Sequence, residues 1–187
     1  TTNPAVDSVR FKNAATPQWS TAISSQRFGG DPSHAKFTLE QSAADVNGIK
    51  SVTFEIPFVD GDEGSEGDNL HKAIVKGIDG SPEDAPRSDG LTYTSFSHEF
   101  DVTGFKTGTR QVIVTVSDGI RETISKISLN IDNSAPSITV DSHASNEQIR
   151  SSFLLKGMIN EGDVGTKVEI LPTASQDKPK EWKNAKE

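Results

Sequence analysis

Cysteine is absent from all 187 residues. Disulfides, thiolate metal centres and cysteine nucleophiles are excluded together. Aromatic residues amount to 6%, with one Tyr and two Trp, so a sugar cleft lined with rings is poorly supplied. Hydrophobic residues make up 32%, below the usual share, which predicts a thin core and much loop and surface. No apolar run approaches the ~20 residues that a bilayer-spanning helix needs, so no direct membrane insertion is expected. Positive charge is short as well. Nineteen Lys and Arg against 27 Asp and Glu leave a net charge of −8, which argues against nucleic acid as a partner. No charged-then-apolar leader opens the chain. With nine Pro and fifteen Gly, the composition points to an exported all-β protein, extracellular or at the cell surface, whose export signal is expected to have been removed or to lie outside this sequence.

Catalytic and metal signatures are missing too. The histidines, His34, His71, His98 and His143, show no metal-ligand spacing and are expected at surface or half-buried positions. No G-x-S-x-G elbow, Walker loop or G-x-G-x-x-G occurs. Glu99 and Asp101 share one strand face, as a glycosidase pair could, but the expectation is a solvated face. Trp19 and Trp182 are read as core anchors rather than sugar platforms. The chain is therefore expected not to be an enzyme.

What is present is period-two alternation. In residues 111–117, Val112, Val114 and Val116 face one way. Residues 51–56 put Val52, Phe54 and Ile56 on one face, and residues 126–131 do the same with Ile127, Leu129 and Ile131. A further strand begins at residues 137–140, and shorter ones are expected at 8–11, 36–39, 95–102 and 153–155. Turn signals lie between them, at Asn47-Gly48, Thr107-Gly108 and Asp118-Gly119. Many short strands with polar turns predict a β-sandwich. No helix is expected, and residues 177–187 read as loop or tail.

Residues 60–90 stand apart. Nine acidic and three basic residues there carry most of the chain's −8. Their Gly, Pro and Ser content predicts a long loop around one short strand at 72–78, and a loop of that length on a rigid scaffold is where a partner contact is expected. Its first part, DGDEGSEGD, offers five carboxylates in nine residues: Asp60, Asp62, Glu63, Glu66 and Asp68. Calcium takes six to eight oxygens from such flexible, Gly-rich backbone, so this loop is the first metal candidate. It lacks EF-hand spacing, and the plain alternative is a solvated acidic loop. No other cofactor is required. The junction NIDNSAP at residues 130–136 is similar to the linker of cadherins, where Asp and Asn ligate calcium, and this resemblance implies a second metal candidate at Asp132 and Asn133, with Asp118 adding an oxygen from a turn; the plain alternative is a strand exit capped by Asx turns.

Residues 36–56 and 152–170 repeat one strand–turn–strand unit, with Phe37, Leu39, Val52 and Phe54 matched by Phe153, Leu155, Val168 and Ile170. That spacing predicts a tandem array: residues 1–133 as one β-sandwich carrying the acidic insertion at 60–90, and 134–187 as a partial second.

The run FSHEFDVTGFKTGTRQVIVTVSDG, followed by ISKISLNIDNSAPSITV, resembles the closing strands of bacterial Ig-like domains of cell-surface proteins. Asp101, Gly104, Gly108, Val112–Val116, Asp118-Gly119, Asp132-Asn133 and Pro136 carry it. The run FTLEQSAADVNGIKSVTFEI resembles the family's opening strands, and the junction is similar to the linker of cadherins. The resemblance covers residues 35–59, 96–140 and 138–170. It implies an Ig-like sandwich followed by an incomplete second one, in a non-catalytic structural or adhesive module of a bacterial cell surface. Such a module would be a spacer or partner-binding surface, stiffened by calcium if the metal sites are filled. Protein or surface-glycan partners, further Ig-like domains, and completion of the second domain in trans are the implied associations. Two other classes stay open: a carbohydrate-binding accessory module of a secreted enzyme, and a subunit of a self-assembling surface layer or filament.

Overall fold

Alternation in the sequence becomes alternation of burial. The computed structural model describes residues 2–135 and four short strands beyond them. The chain divides into two units, Thr1–Ser134 and Ala135–Glu187.

The first unit is all-β. Its strands are β1 (Ala5–Val6), β2 (Arg10–Asn13), β3 (Arg27–Phe28), β4 (Lys36–Ala44), β5 (Ser51–Glu55), β6 (Lys72–Lys76), β7 (Ser81–Pro82), β8 (Thr94–Asp101), β9 (Gly108–Ser117) and β10 (Glu122–Ile131). One sheet runs β1-β4-β8-β7, with β2 also paired to β4. The other runs β3-β10-β9-β5-β6. Within the unit every pairing is antiparallel except β3 with β10, which is parallel.

The inward rows of both sheets meet in one core. Phe37, Leu39, Phe96 and Phe100 come from the first sheet; Val52, Phe54, Val112, Val114, Val116, Leu129 and Ile131 come from the second. Seven of the nine Phe are buried, and rings such as Phe28 and Phe37 pack with centroids 4.5 Å apart. A chain that is poor in apolar residues has placed its aromatic bulk inside, where each ring buries most area.

Three expectations are corrected. Residues 60–90 hold the short strand expected there, as β6, but the rest is not all loop: a 3-10 turn at Gly77–Asp79 and the strand β7 follow it. A single-turn helix, α1 (Pro32–Ala35), exists where none was expected. Asp31 caps it by accepting from the Ser33 N–H at 2.7 Å, and Pro32 needs no partner in the first turn. Trp19 is no core anchor. It is half-exposed, with Lys12 Nζ 4.6 Å and Arg10 Cζ 5.5 Å from its ring centre.

In the second unit, β11 (Ile138–Val140) pairs antiparallel with β12 (Gly157–Ile159), and β13 (Glu169–Ile170) with β14 (Lys183–Asn184). The last of these falls in the expected tail. The strand expected at 153–155, His143 and Trp182 lie outside the described residues.

Candidate functional site

Both acidic clusters were expected to be free for a ligand. The structure uses most of their oxygens to fasten the protein. Strand direction places them first. β5 leads out into residues 56–71, β8 leads out into residues 102–107, and β10 ends at Ile131, just before Asp132. These segments share one end of the sandwich, the exit end, and residues 102–107 touch both of the others.

Asp62 is the buried member of the loop. Its side chain is 0% exposed and accepts from Arg110 Nη2 at 2.7 Å, where the Arg110 side chain is 6% exposed. Asp62 also accepts from the backbone N–H of Lys106 at 2.7 Å and of Val59 at 2.9 Å. Arg110 donates a second bond to the Lys106 carbonyl at 2.9 Å. A charge this buried persists only because its partner and hydrogen bonds replace water. Asp68 serves the backbone. It accepts from the N–H groups of Ser65 (2.7 Å), Leu70 (3.0 Å) and His71 (3.2 Å). The Ser65 bond, with help from the other two, holds its carboxyl below the usual range.

His71 contradicts the expectation of a surface histidine. It is 1% exposed. Its Nε2 faces the Glu63 carbonyl oxygen at 3.0 Å and its Nδ1 the Ile56 carbonyl oxygen at 3.2 Å. The ring stacks on Phe105 at 4.3 Å. Glu63 donates its own N–H to the Gly104 carbonyl at 2.8 Å. This approach explains Gly104: a Cβ there would lie 2.6 Å from the Glu63 Cβ. Asp60, Glu63 and Glu66 keep exposed side chains. Further along, Glu83 and Asp7 are both held by Arg87, which lies 3.7 Å over the Tyr93 ring, and Asp89 accepts from the Tyr93 hydroxyl at 3.1 Å.

The junction is a clamp. Asn133 Nδ2 donates to the carbonyls of Val102 and Phe105, both at 2.6 Å. Its Oδ1 accepts from Gly30 N–H at 3.0 Å, and its own N–H donates to Thr107 Oγ1 at 2.9 Å. Asp132 pairs with Arg27. Gly29 makes room for this. At φ +104° it takes a conformation that side chains resist, and a Cβ there would sit 2.3 Å from Asn133 Oδ1.

Asp118 does not belong to the junction, and that expectation is corrected. It sits in the β9–β10 turn, while Asp132 follows the far end of β10. The ten residues of β10 separate them, roughly 30 Å at the usual strand rise. Asp118 accepts from the Ile120 and Arg121 N–H groups, each at 2.6 Å; the Arg121 bond leads in holding its carboxyl low. Glu99 and Asp101 have exposed side chains.

Among the described residues, no group of three or more His, Asp or Glu is placed to hold a metal ion. The loop brings Asp62 and Asp68 to protein donors and leaves Asp60, Glu63 and Glu66 exposed. What the sequence reading missed is Arg110 and His71. Arg110 had a signal: it shares strand parity with Val112, Val114 and Val116, so a buried row begins with a charge. The site is thus a structural knot in an all-β, two-sheet unit. Compared with protein-family models, curated proteins and solved structures, the chain matches none of them.

Proposed function

We propose that residues 1–134 form an Ig-like, non-catalytic structural module of a bacterial cell-surface protein, a spacer whose 60–90 segment presents a partner surface. The observation that carries the reading is strand order. β1/β2, β4, β8 and β7 stand in the order A-B-E-D, and β10, β9 and β5 in the order G-F-C, with β6 beside β5 as an added strand. The disulfide pin of many Ig domains is replaced here by a phenylalanine core. Spacer geometry supports the same reading. The leading residues sit at the start of β10, where Thr2 O accepts from Arg121 Nη1 at 2.9 Å and Pro4 O from Thr123 Oγ1 at 2.7 Å. The chain leaves beyond the far end of the same strand.

Tension between these ends loads the parallel pairing of Arg27 with Asn130 and Phe28 with Ile131, the Arg27–Asp132 pair and the Asn133 clamp. Losing the three side-chain bonds of Asn133 removes about 3 kcal/mol at roughly 1 kcal/mol each. Pulling the full chain by its termini tests this. A discrete rupture event from the first unit, shifted to lower force by Asn133→Ala, is expected. Gradual extension without a rupture would defeat the spacer reading.

A further inference from the structure

The last strand of the second sheet offers more than an end. Among the described residues, β6 pairs with β5 on one side and with no strand on the other. The Lys72 N–H donates to the Asp68 carbonyl at 2.9 Å; beyond it the outer edge presents backbone N–H and C=O groups at strand spacing, a template for another extended chain. A cleft of about 540 Å³ runs beside it, lined in part by Gly67, Asn69, Lys72, Ile74, Val75 and His98.

The side chains of β6 say which chain would fit. Lys72, Ile74 and Lys76 share one face, and Ala73 and Val75 the other. Ile74 is 64% exposed and lies between the two lysines on that face. Lys72 is shared with Glu55 at 2.9 Å, while Lys76 makes no ion pair among the described residues. A second copy of β6 is a poor occupant. Antiparallel pairing centred on Ile74 sets Lys72 against Lys76, and parallel pairing in register sets each lysine against itself. Like charges directly opposite are destabilising. The lysines reject self-pairing and favour carboxylates in the same positions.

We propose that the free edge of β6 is a strand-addition site for a partner segment that is extended and acidic. Its outward side chains alternate acid, aliphatic, acid against Lys72, Ile74 and Lys76, and its inward ones are small and apolar against Ala73, Val75 and the His98 side of the cleft. This deepens the module reading, on which it rests, by naming where in residues 60–90 the partner binds and what it carries.

The test uses the full chain and two capped heptapeptide probes, Ala-Glu-Ala-Val-Ala-Glu-Ala, whose one face reads acid, aliphatic, acid, and the same peptide with Lys in place of Glu. Backbone amide spectra and hydrogen exchange are read during titration. The Glu peptide is expected to bind saturably and to slow exchange of β6 amides. The paired substitution Lys72→Glu and Lys76→Glu should weaken it about tenfold or more and transfer preference to the Lys peptide. Lys72→Glu sets a carboxylate directly opposite Glu55 on β5, so a modest drop in melting temperature is expected, and a retained cooperative transition with the wild-type circular dichroism will show that the variant is folded. No saturable binding of the Glu peptide at millimolar concentration, equal binding of both probes, or protection confined to other strands would each overturn the proposal. So would self-association of the wild-type chain that the Lys72→Glu and Lys76→Glu pair abolishes. A rupture event in the pulling experiment alongside failure here would sink the strand-addition site and leave the spacer standing.

Discussion

Removing the Asp62 carboxylate separates a structural role from a metal-ligating one. Asp62→Ala leaves the Arg110 guanidinium, whose side chain is 6% exposed, without its counter-charge. Arg110 Nε already has no hydrogen-bond partner, so the remaining compensation is one bond to the Lys106 carbonyl. The two backbone N–H groups that Asp62 caps belong to the exposed residues Val59 and Lys106, and water can replace their acceptor. The cost is therefore dominated by the stranded charge, about 3–5 kcal/mol. For a domain of this size that lowers the melting temperature by roughly 10–20 °C. Arg110→Leu costs less, about 1–3 kcal/mol, because Asp62 keeps two N–H donors. The double variant is expected nearer the wild type than the sum of the singles, since an apolar replacement removes both desolvation costs. Urea denaturation of all four proteins, followed by circular dichroism in EDTA, gives the cycle. A loss below about 1 kcal/mol for Asp62→Ala, or strict additivity, would refute the reasoning. A large loss that occurs only with calcium present would refute it in favour of a metal site.

Calcium titration of the wild-type chain up to several millimolar is expected to leave the first unit's melting temperature unchanged, because Asp62, Asp68 and Asn133 are already bonded to protein groups. A saturable rise of several degrees would mean that Asp60, Glu63 and Glu66 rearrange around an ion. Acid should weaken the fold. The Ser33 hydroxyl, with His34, lowers the Asp31 carboxyl from 3.8 to about 2. Asp101, bonded first by Thr103, and Asp68 and Asp118, capped by backbone N–H groups, are also held low. Carboxyls lowered in the folded state stabilise it fully above their unfolded pKa of about 4, and that stability is lost as pH falls towards about 2. The urea midpoint should drop between pH 4 and 2; a flat or rising midpoint would contradict this.

The long strands were legible because one buried face imposes strict alternation. Residues 111–117 extend three residues earlier than the pattern suggested, starting β9 at Gly108. The pattern broke at Arg110 because a charge occupies a buried place. Short elements were not legible. β3 and β7 have two residues each, and their strand character is set by the β10 and β8 edges they meet rather than by their own side chains. The helix at Pro32–Ala35 did carry a local signal, an Asp followed by Pro. Partner identities were beyond reach: Asp62 and Arg110 lie 48 positions apart, Gly30 and Asn133 lie 103 apart, and nothing local pairs them. Composition located the acidic segment, yet composition says nothing about which carboxylates turn inward.

Charge count and ligand capacity part company here for a physical reason. Five carboxylates crowded into nine residues repel one another unless donors intervene. The fold supplies donors from inside: a guanidinium from β9 for Asp62 and backbone N–H groups for Asp68. The same economy governs the exit. Asn133 reaches residues 102–107 from one side as Asp62 and Glu63 reach them from the other, so one short segment is held between two fastenings. A cysteine-free chain with a thin core has few other means of fixing a loop end. Among the described residues, Asp60, Glu63 and Glu66 on the exit end and Lys76 on the free edge then make no ion pair. Those are the groups a partner would meet.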